Sequence, residues 1–471
     1  MGKGLLYVLA QIIPALATLV TLALYTRWLS AEAYGTYSTL LVLVTAANLA
    51  LFNWLYVGVY RFWNDGQLSE RDLQSVTVLA LLVASLLVLV IAVFTAMLSG
   101  YYQLIAAFAA LLICSAFFST CQRINAITQQ ARQFLYAEIV KVVIASAIGV
   151  YLVWQGVSWP GIIIGLCLGF ASVTLLSASF RRMLFMRPQL NIALLKRLLR
   201  YGLPLSLTFV LLEIIHASDR LLLTWFLGVD HAGRYAAAFS LPNQLLLMLA
   251  NAVGMVLYPQ IIKQFEQENK PQVKEQLSQY LLILSGVLLP AYLGLIAIRH
   301  DFLPLILGAE FIDDALWLLP WLGLGVLLNC FYLFYVSYSF QLSQQTTATI
   351  RVVLVAAVLN TILNTLLIPS LGVLGAAMAT IAAYLVCVGY GFRVGCRYCP
   401  LPINWIELGK IGLSALLMLL ILECLPLHYG WQQGLFRIGL GIIIYGALVL
   451  LLDIGGIRDT MKWYYHKRLN G

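Results

Sequence analysis

Apolar runs of bilayer-crossing length, repeated from one end of the chain to the other, constrain the fold more than any motif does. A helix needs about 20 mostly apolar residues to span a membrane. On that rule the sequence predicts fourteen spans: 4–26, 35–60, 74–98, 101–122, 135–155, 160–180, 202–227, 233–258, 278–299, 315–340, 347–369, 371–393, 407–426 and 434–453. The longest polar connections are 181–200 and 259–277, and neither is long enough for a separate soluble domain. The expected class is therefore an all-α polytopic membrane protein. Composition agrees, since only 10% of the residues are charged where a soluble chain carries about 25%. The first run reads as a span rather than a cleavable signal, because no cleavage site stands out after it.

Charge placement tests the count. With a cytoplasmic N-terminus, 23 of the 28 Lys and Arg residues fall on the cytoplasmic side, leaving Arg27, Arg220, Arg234, Arg299 and Arg437 outside. That is the positive-inside asymmetry, and a wrong number of helices would scramble it. Both termini are expected in the cytoplasm. The net charge of +9 is then a matter of topology, and no nucleic-acid partner is expected.

The chain also repeats itself. TRWLSAEAYGTY, holding Thr26, Leu29, Glu32, Gly35 and Tyr37, corresponds at an offset of 198 residues to TWFLGVDHAGRY, holding Thr224, Leu227, Asp230, Gly233 and Tyr235. Asn53 and Tyr60 map likewise onto Asn251 and Tyr258. A second echo at 210 residues sets IVKVVI beside TIRVVL, with Lys141 opposite Arg351. Six helices separate the copies, so the repeat is parallel. It predicts two pseudo-symmetric six-helix lobes, 1–184 and 201–397, joined by a basic cytoplasmic linker at 185–200 and followed by two helices and a basic tail at 398–471. Transporters built this way hold substrate between lobes and alternate access to it.

Ionisable side chains inside spans are costly, and they face bundle interiors or wet cavities. In the segment 201–242, Glu213, His216, Arg220 and Thr224 share one side of a helix and Asp219 lies just off it. The helix is expected to break at Gly228 and restart at Gly233. Glu213, His216 and Asp219 are candidates for coupling to H+ or Na+, with a purely structural network as the competing reading. Arg220 has donor geometry suited to a pyrophosphate. Gln11 and Thr18 in helix 1, Asn53 and Tyr56 in helix 2, and Gln244 and Asn251 in helix 8 are candidate cavity residues. The competing reading is helix–helix glue. Arg61, Arg123 and Lys141 are candidates for a cytoplasmic mouth, with topology anchors as the competing and favoured reading of the two arginines, and Glu138 with Lys141 reads as a local i,i+3 pair. Pro14, Pro204, Pro242 and Pro290 are positioned to kink helices.

No catalytic signature is present. GxxxxGK[ST] is missing, as are HExxH and GxSxG. Cys396 and Cys399 form a lone CxxC with no second pair, so no metal site is expected. The chain reads as a transporter without a chemical step or resident cofactor.

The YGLP opening at 201–204, the run from Ala217 to Tyr235 (ASDRLLLTWFLGVDHAGRY) and LIPSLGVLGAAMAT at 367–380 resemble the polysaccharide transport branch of the multidrug/oligosaccharidyl-lipid/polysaccharide exporter superfamily. That branch includes the Wzx-type flippases of lipid-linked O-antigen units, and the similarity covers nearly the whole chain. It implies two six-helix lobes around a central cavity in a bacterial inner membrane. The implied substrate is a short oligosaccharide on undecaprenyl pyrophosphate, turned from the cytoplasmic to the periplasmic leaflet for O-antigen, capsule or exopolysaccharide. Membrane lipids and other polysaccharide-assembly membrane proteins are the implied partners. The related lipid II flippases keep several cavity-facing Arg residues in the first lobe. Here helix 1 has none before Arg27, which argues against that substrate. A cation-coupled drug exporter of the same superfamily is the alternative, followed by a membrane glycan polymerase or ligase and then a non-transporting scaffold. An enzyme of that kind needs a sizeable outer loop, and the largest outward connection here, 299–314, is too short for one.

Overall fold

The computed structural model describes residues 3–63, 70–177, 181, 191–267, 270–425, 430–456 and 458; the side chains of residues 3–12 and of Lys270 lie outside the description. Among the described residues there are sixteen helices and no strand. In order they are α1 (Lys3–Trp28), α2 (Ala31–Leu51), α3 (Asn53–Phe62), α4 (Glu70–Ser99), α5 (Tyr102–Ile127), α6 (Ala131–Trp154), α7 (Trp159–Leu176), α8 (Ile192–Leu227) and α9 (Val229–Glu266). They continue as α10 (Lys270–Ala297), α11 (Arg299–Ile306), α12 (Ala309–Leu342), α13 (Thr346–Leu371), α14 (Val373–Gly395), α15 (Trp405–Cys424) and α16 (Trp431–Leu451). Thirteen of these are long and apolar enough to cross a membrane, and they coincide with the second to fourteenth expected spans. The first expected span is α1, 26 residues long. The chain is an all-α multi-pass membrane protein.

Local chemistry explains the boundaries. The Ser30 side chain caps α2 by accepting from the Ala33 amide at 3.2 Å, and Asn191 caps α8 by accepting from Leu194 at 3.0 Å. Phe52, at φ −121° and ψ −23°, separates α2 from α3, so the second expected span is a broken helix. The prolines at 14, 204, 242 and 290 sit inside α1, α8, α9 and α10, which run through them. The connection expected at 259–277 is mostly helix, since α9 reaches Glu266 and α10 begins at Lys270. At 36 residues, α8 is about 54 Å long, well beyond the ~30 Å hydrocarbon layer. Its exposed Lys196, Arg197 and Arg200 fall in its first turns.

The chain divides into two compact units. One comprises Met1–Ala236 with Asn360–Val373, the other Ala237–Leu359 with Leu374–Gly471. The six-helix lobes are a division of the sequence, and residues 185–190 of their linker lie outside the described residues. In the first unit α6 packs along α1 and α7, and α8 along α2 and α3. In the second, α10 packs on α15 and α15 on α16.

The repeat has a physical counterpart inside the first unit. Gly228 (φ 106°) ends α8, and α9 restarts at once at Val229 rather than at the expected Gly233. Gly233 is instead a contact point. A Cβ there would lie 2.1 Å from the Ala31 carbonyl oxygen, and one on Gly35 would lie 2.0 Å from the Val229 oxygen. Both the glycines and the carbonyls they meet are 198 residues apart, so the contact is reciprocal.

Later in the chain the register differs from the echo. Gln129 (φ 54°) and Gln344 (φ 56°) are left-handed non-glycine residues in equivalent helix-linking turns, 215 residues apart. Gly156 (φ 88°) and Gly372 (φ 62°) do the same one helix on, 216 apart. Turn geometry therefore sets Lys141 opposite Ala356, not opposite Arg351.

A polar cavity and a buried carboxylate network

Helices α2, α3, α5 and α6 of the first unit enclose a polar cavity of about 390 Å³. Asn48, Asn53, Tyr56, Ser119, Gln122, Arg123 and Glu138 line it. Asn48, Asn53, Tyr56, Gln122 and Glu138 are each tied back to the protein. Asn48 Nδ2 donates to Ser115 Oγ at 3.1 Å, Asn53 Nδ2 to Ser206 Oγ at 3.3 Å, and the Tyr56 hydroxyl to the Ala116 carbonyl at 3.1 Å. Gln122 Nε2 donates to Glu138 Oε1 at 2.7 Å and to the Phe134 carbonyl at 3.3 Å. The other Glu138 oxygen takes Lys141, whose ammonium also sits 4.8 Å from the Phe118 ring centroid.

Arg123 is not tied back in this way. It is exposed at the cavity and makes no hydrogen bond or ion pair among the described residues. Glu138 and Lys141 cancel each other, so the cavity carries one net positive charge, presented on the guanidinium fork that suits phosphate oxygens.

Sequence reasoning named three of the wall residues, Asn53, Tyr56 and Arg123, together with Lys141, which pairs with Glu138 of the wall. It passed over Asn48 and Gln122, and took Glu138 only as a local partner of Lys141. Asn48 and Asn53 are five residues apart, which places them on different faces of a straight helix; the break at Phe52 brings both to the cavity. Arg61 is exposed at the end of α3 and does not line it.

The second concentration of polar groups in this unit surrounds Asp219, 2% exposed. One carboxylate oxygen accepts from the Tyr235 hydroxyl at 2.8 Å. The other accepts from Asn364 Nδ2 at 2.6 Å and Asn360 Nδ2 at 3.4 Å. Ser218 Oγ donates to Asn360 Oδ1 at 2.6 Å. Asn364 Oδ1 is buried without a hydrogen-bond partner among the described residues. The paired amides had a signal in the sequence: two Asn one turn apart on an otherwise apolar span.

The other candidate residues of this helix are less buried than Asp219. Glu213, His216 and Arg220 are half-buried on the same helix, α8, with Arg220 close enough for its charge to act on the first two. Thr18 is exposed and donates to its own helix at Pro14. Gln11 lies outside the described side chains. In the second unit Gln244 is half-buried, and Asn251 donates to its own helix at Leu247 O, 2.8 Å. The amide equivalent to Asn53 thus caps a turn instead of reaching another helix.

Beside Asn251 the second unit has tyrosines where the first has charges. Tyr338 stacks on Tyr258 with centroids 3.9 Å apart, and the Tyr280 and Tyr338 hydroxyls lie 3.2 Å apart. The Tyr258 hydroxyl donates to Gln341 Oε1 at 3.1 Å. Further along, Asp301 is fully buried, taking Arg437 at 2.8 Å and the Gly430 amide at 2.9 Å.

The model of a family described as polysaccharide biosynthesis protein matches residues 24–315. The chain belongs to that family. Among curated proteins, one of similar sequence is the probable low-salt glycan biosynthesis flippase Agl15 of Haloferax volcanii, 24% identical over 238 residues. The match covers 50% of this chain and 49% of that one, so the chain spans about half the length of the curated relative it matches. In fold the family member resembles lipid II flippase MurJ in an inward closed conformation, with a TM-score of 0.76 and 16% identity over 96% of this chain and 98% of that one. It also resembles an inward-facing multidrug resistance MATE family transporter of the MOP superfamily. There the TM-score is 0.59 and the identity 15%, over 81% of this chain and 95% of that one.

Proposed function

We propose that the chain is a flippase that carries an oligosaccharide on undecaprenyl pyrophosphate from the cytoplasmic to the periplasmic leaflet of a bacterial inner membrane, by alternating access. The observation that carries the reading is the first-unit cavity, where a free guanidinium stands among amides and hydroxyls. A glycan diphosphate needs those two things: a cation for its phosphates and paired donors and acceptors for its hydroxyls. Membership of a polysaccharide biosynthesis family and similarity to a protein described as a glycan biosynthesis flippase support it. The product would feed O-antigen, capsule or exopolysaccharide assembly, alongside other membrane proteins of that assembly. Arg123 and Lys141 then stand at the cytoplasmic mouth.

The Asp219 network supplies the coupling ion site in this reading. Carboxylate and amide oxygens suit Na+ as a hard cation, and a carboxylate alone suits H+. Asp219, buried and bonded to Tyr235, Asn360 and Asn364, is the principal candidate, with Glu213 and His216 beside it on α8.

The test is leaflet sidedness. Purified protein in liposomes receives a fluorescent undecaprenyl-pyrophosphate oligosaccharide, and a membrane-impermeant quencher reports crossing with and without pH and Na+ gradients. Protein-dependent crossing is expected, and its gradient dependence should vanish in Asp219→Asn. Crossing of a cationic drug instead of the lipid-linked glycan would reassign the chain to an exporter.

A further inference from the structure

Two of the helices that build the polar cavity, α2 and α5, also build with α4 an apolar hollow further along the same face of α5. On α5, Ser119, Gln122 and Arg123 face the cavity. Preceding turns of the same helix, through Ile105 and Phe108, line a hollow of about 620 Å³ closed by Leu40 and Leu43 of α2 and by Ile91 and Ala92 of α4. Ser115, between the two sets of α5 residues, is held by Asn48 of the cavity wall. The hollow opens sideways, with Ile91 61% exposed. Its lining contains hydroxyls at one end, on Thr95, Ser99 and Tyr101, and no Lys or Arg.

Two features say what fits. A phospholipid seated wholly in the hollow would find no cation for its phosphate, whereas a chain entering from the cavity leaves its anionic end at Arg123. Length is the second. From Arg123 to Tyr101 at the far end, α5 rises over 22 residues, about 33 Å at ~1.5 Å per residue. One leaflet is only about 15 Å of hydrocarbon, half of the ~30 Å core. A fatty acyl chain headed at Arg123 stops near mid-membrane, while a long polyprenyl chain reaches the end.

We propose that the hollow between α2, α4 and α5 seats the polyprenyl chain of the lipid whose diphosphate occupies the cavity. The inference rests on the flippase reading of that cavity. It makes the first unit a holder of both ends of the substrate, with the Asn48–Ser115 bond marking the change from polar to apolar wall.

Photo-crosslinking tests it on the full chain in nanodiscs of phosphatidylethanolamine and phosphatidylglycerol, with radiolabelled undecaprenyl diphosphate as the probe. p-Benzoylphenylalanine is placed singly at Ile105 in the hollow, at Ser119 in the cavity, and at exposed Val358 of α13 as a lipid-facing control. Capture at Ile105 about tenfold above Val358 is expected, the factor that 1.4 kcal/mol gives, with competition by unlabelled probe and not by added phosphatidylglycerol. Capture at Ser119 with only control-level capture at Ile105 overturns the chain seat and leaves the cavity reading standing. Capture at neither position overturns both. Capture at Ile105 that phosphatidylglycerol competes away shows an ordinary bilayer lipid and overturns the proposal. Independently, Ala92→Trp fills the hollow. It should slow crossing of the undecaprenyl-linked probe about tenfold while leaving a farnesyl-linked analogue unchanged; equal loss of both overturns the seat.

Discussion

The polar cavity of α2, α3, α5 and α6 and the tyrosine cluster of α9, α10 and α12 occupy equivalent places in the repeat and have opposite contents. With α2 and α3 offset by 198 residues and the α5–α6 turn by 215, Tyr56 corresponds to Gly254, Ser119 to Phe334, Gln122 to Ser337 and Arg123 to Tyr338. Glu138 and Lys141 correspond to Val353 and Ala356. The packing bears out the correspondence: a Cβ on Gly254 would meet the Tyr338 hydroxyl at 3.1 Å and Phe334 at 3.2 Å. One scaffold thus supports two solutions. In the second unit aromatic rings fill the space and contribute burial and stacking. In the first, most wall groups are satisfied by neighbouring residues behind the wall, so the space stays open and Arg123 remains available. A repeat can keep its backbone and still confine binding to one copy.

That contrast can be broken at several points. Tyr338→Ala removes a ring stacked on Tyr258 and should cost about 3–5 kcal/mol, as other large aromatic truncations do. The readout is thermal unfolding in detergent, and affinity for undecaprenyl diphosphate should be unchanged in the folded fraction. A loss of affinity equal to the loss of fold would mean the second site binds too. Arg123→Ala should do the reverse. It removes a charge-assisted contact of about 1.5–3 kcal/mol, more than a tenfold rise in Kd by titration, with the melting curve unmoved. Tyr56→Phe deletes the bond to Ala116 and should lower stability by about 1 kcal/mol, since the ring still fills its place. Gly254→Ala is the mildest. Its helical gain of about 0.8–1 kcal/mol is offset by the tight contact with Tyr338, and stability within ~0.5 kcal/mol of the parent is expected in a chemical denaturation series. A larger loss would show that the tyrosine cluster has no slack.

The spans were legible because each is a composition signal as long as a bilayer is thick. Asn53, Tyr56, Arg123 and Lys141 stood out as polar groups on apolar helices. Their meeting did not, because it depends on the break at Phe52 and on tertiary pairing of α5 with α6. Asp219 looked like a neighbour of Glu213 and His216 in sequence. A displacement around the helix of well under half a turn sends it instead toward Asn360 and Asn364, more than a hundred residues away. The 210-residue echo misled for a related reason: apolar helix sequences match one another at several registers, whereas a left-handed glutamine in a turn fixes only one.

The reciprocal contact of Gly35 and Gly233 leaves a mechanical signature. Helices usually meet through side-chain ridges that must disengage before the crossing angle can change. Here two helix starts touch backbone to backbone, with nothing interlocked at the point of closest approach. Such a seat has no slack on either side, so a single methyl added to either glycine would push the two helix starts apart.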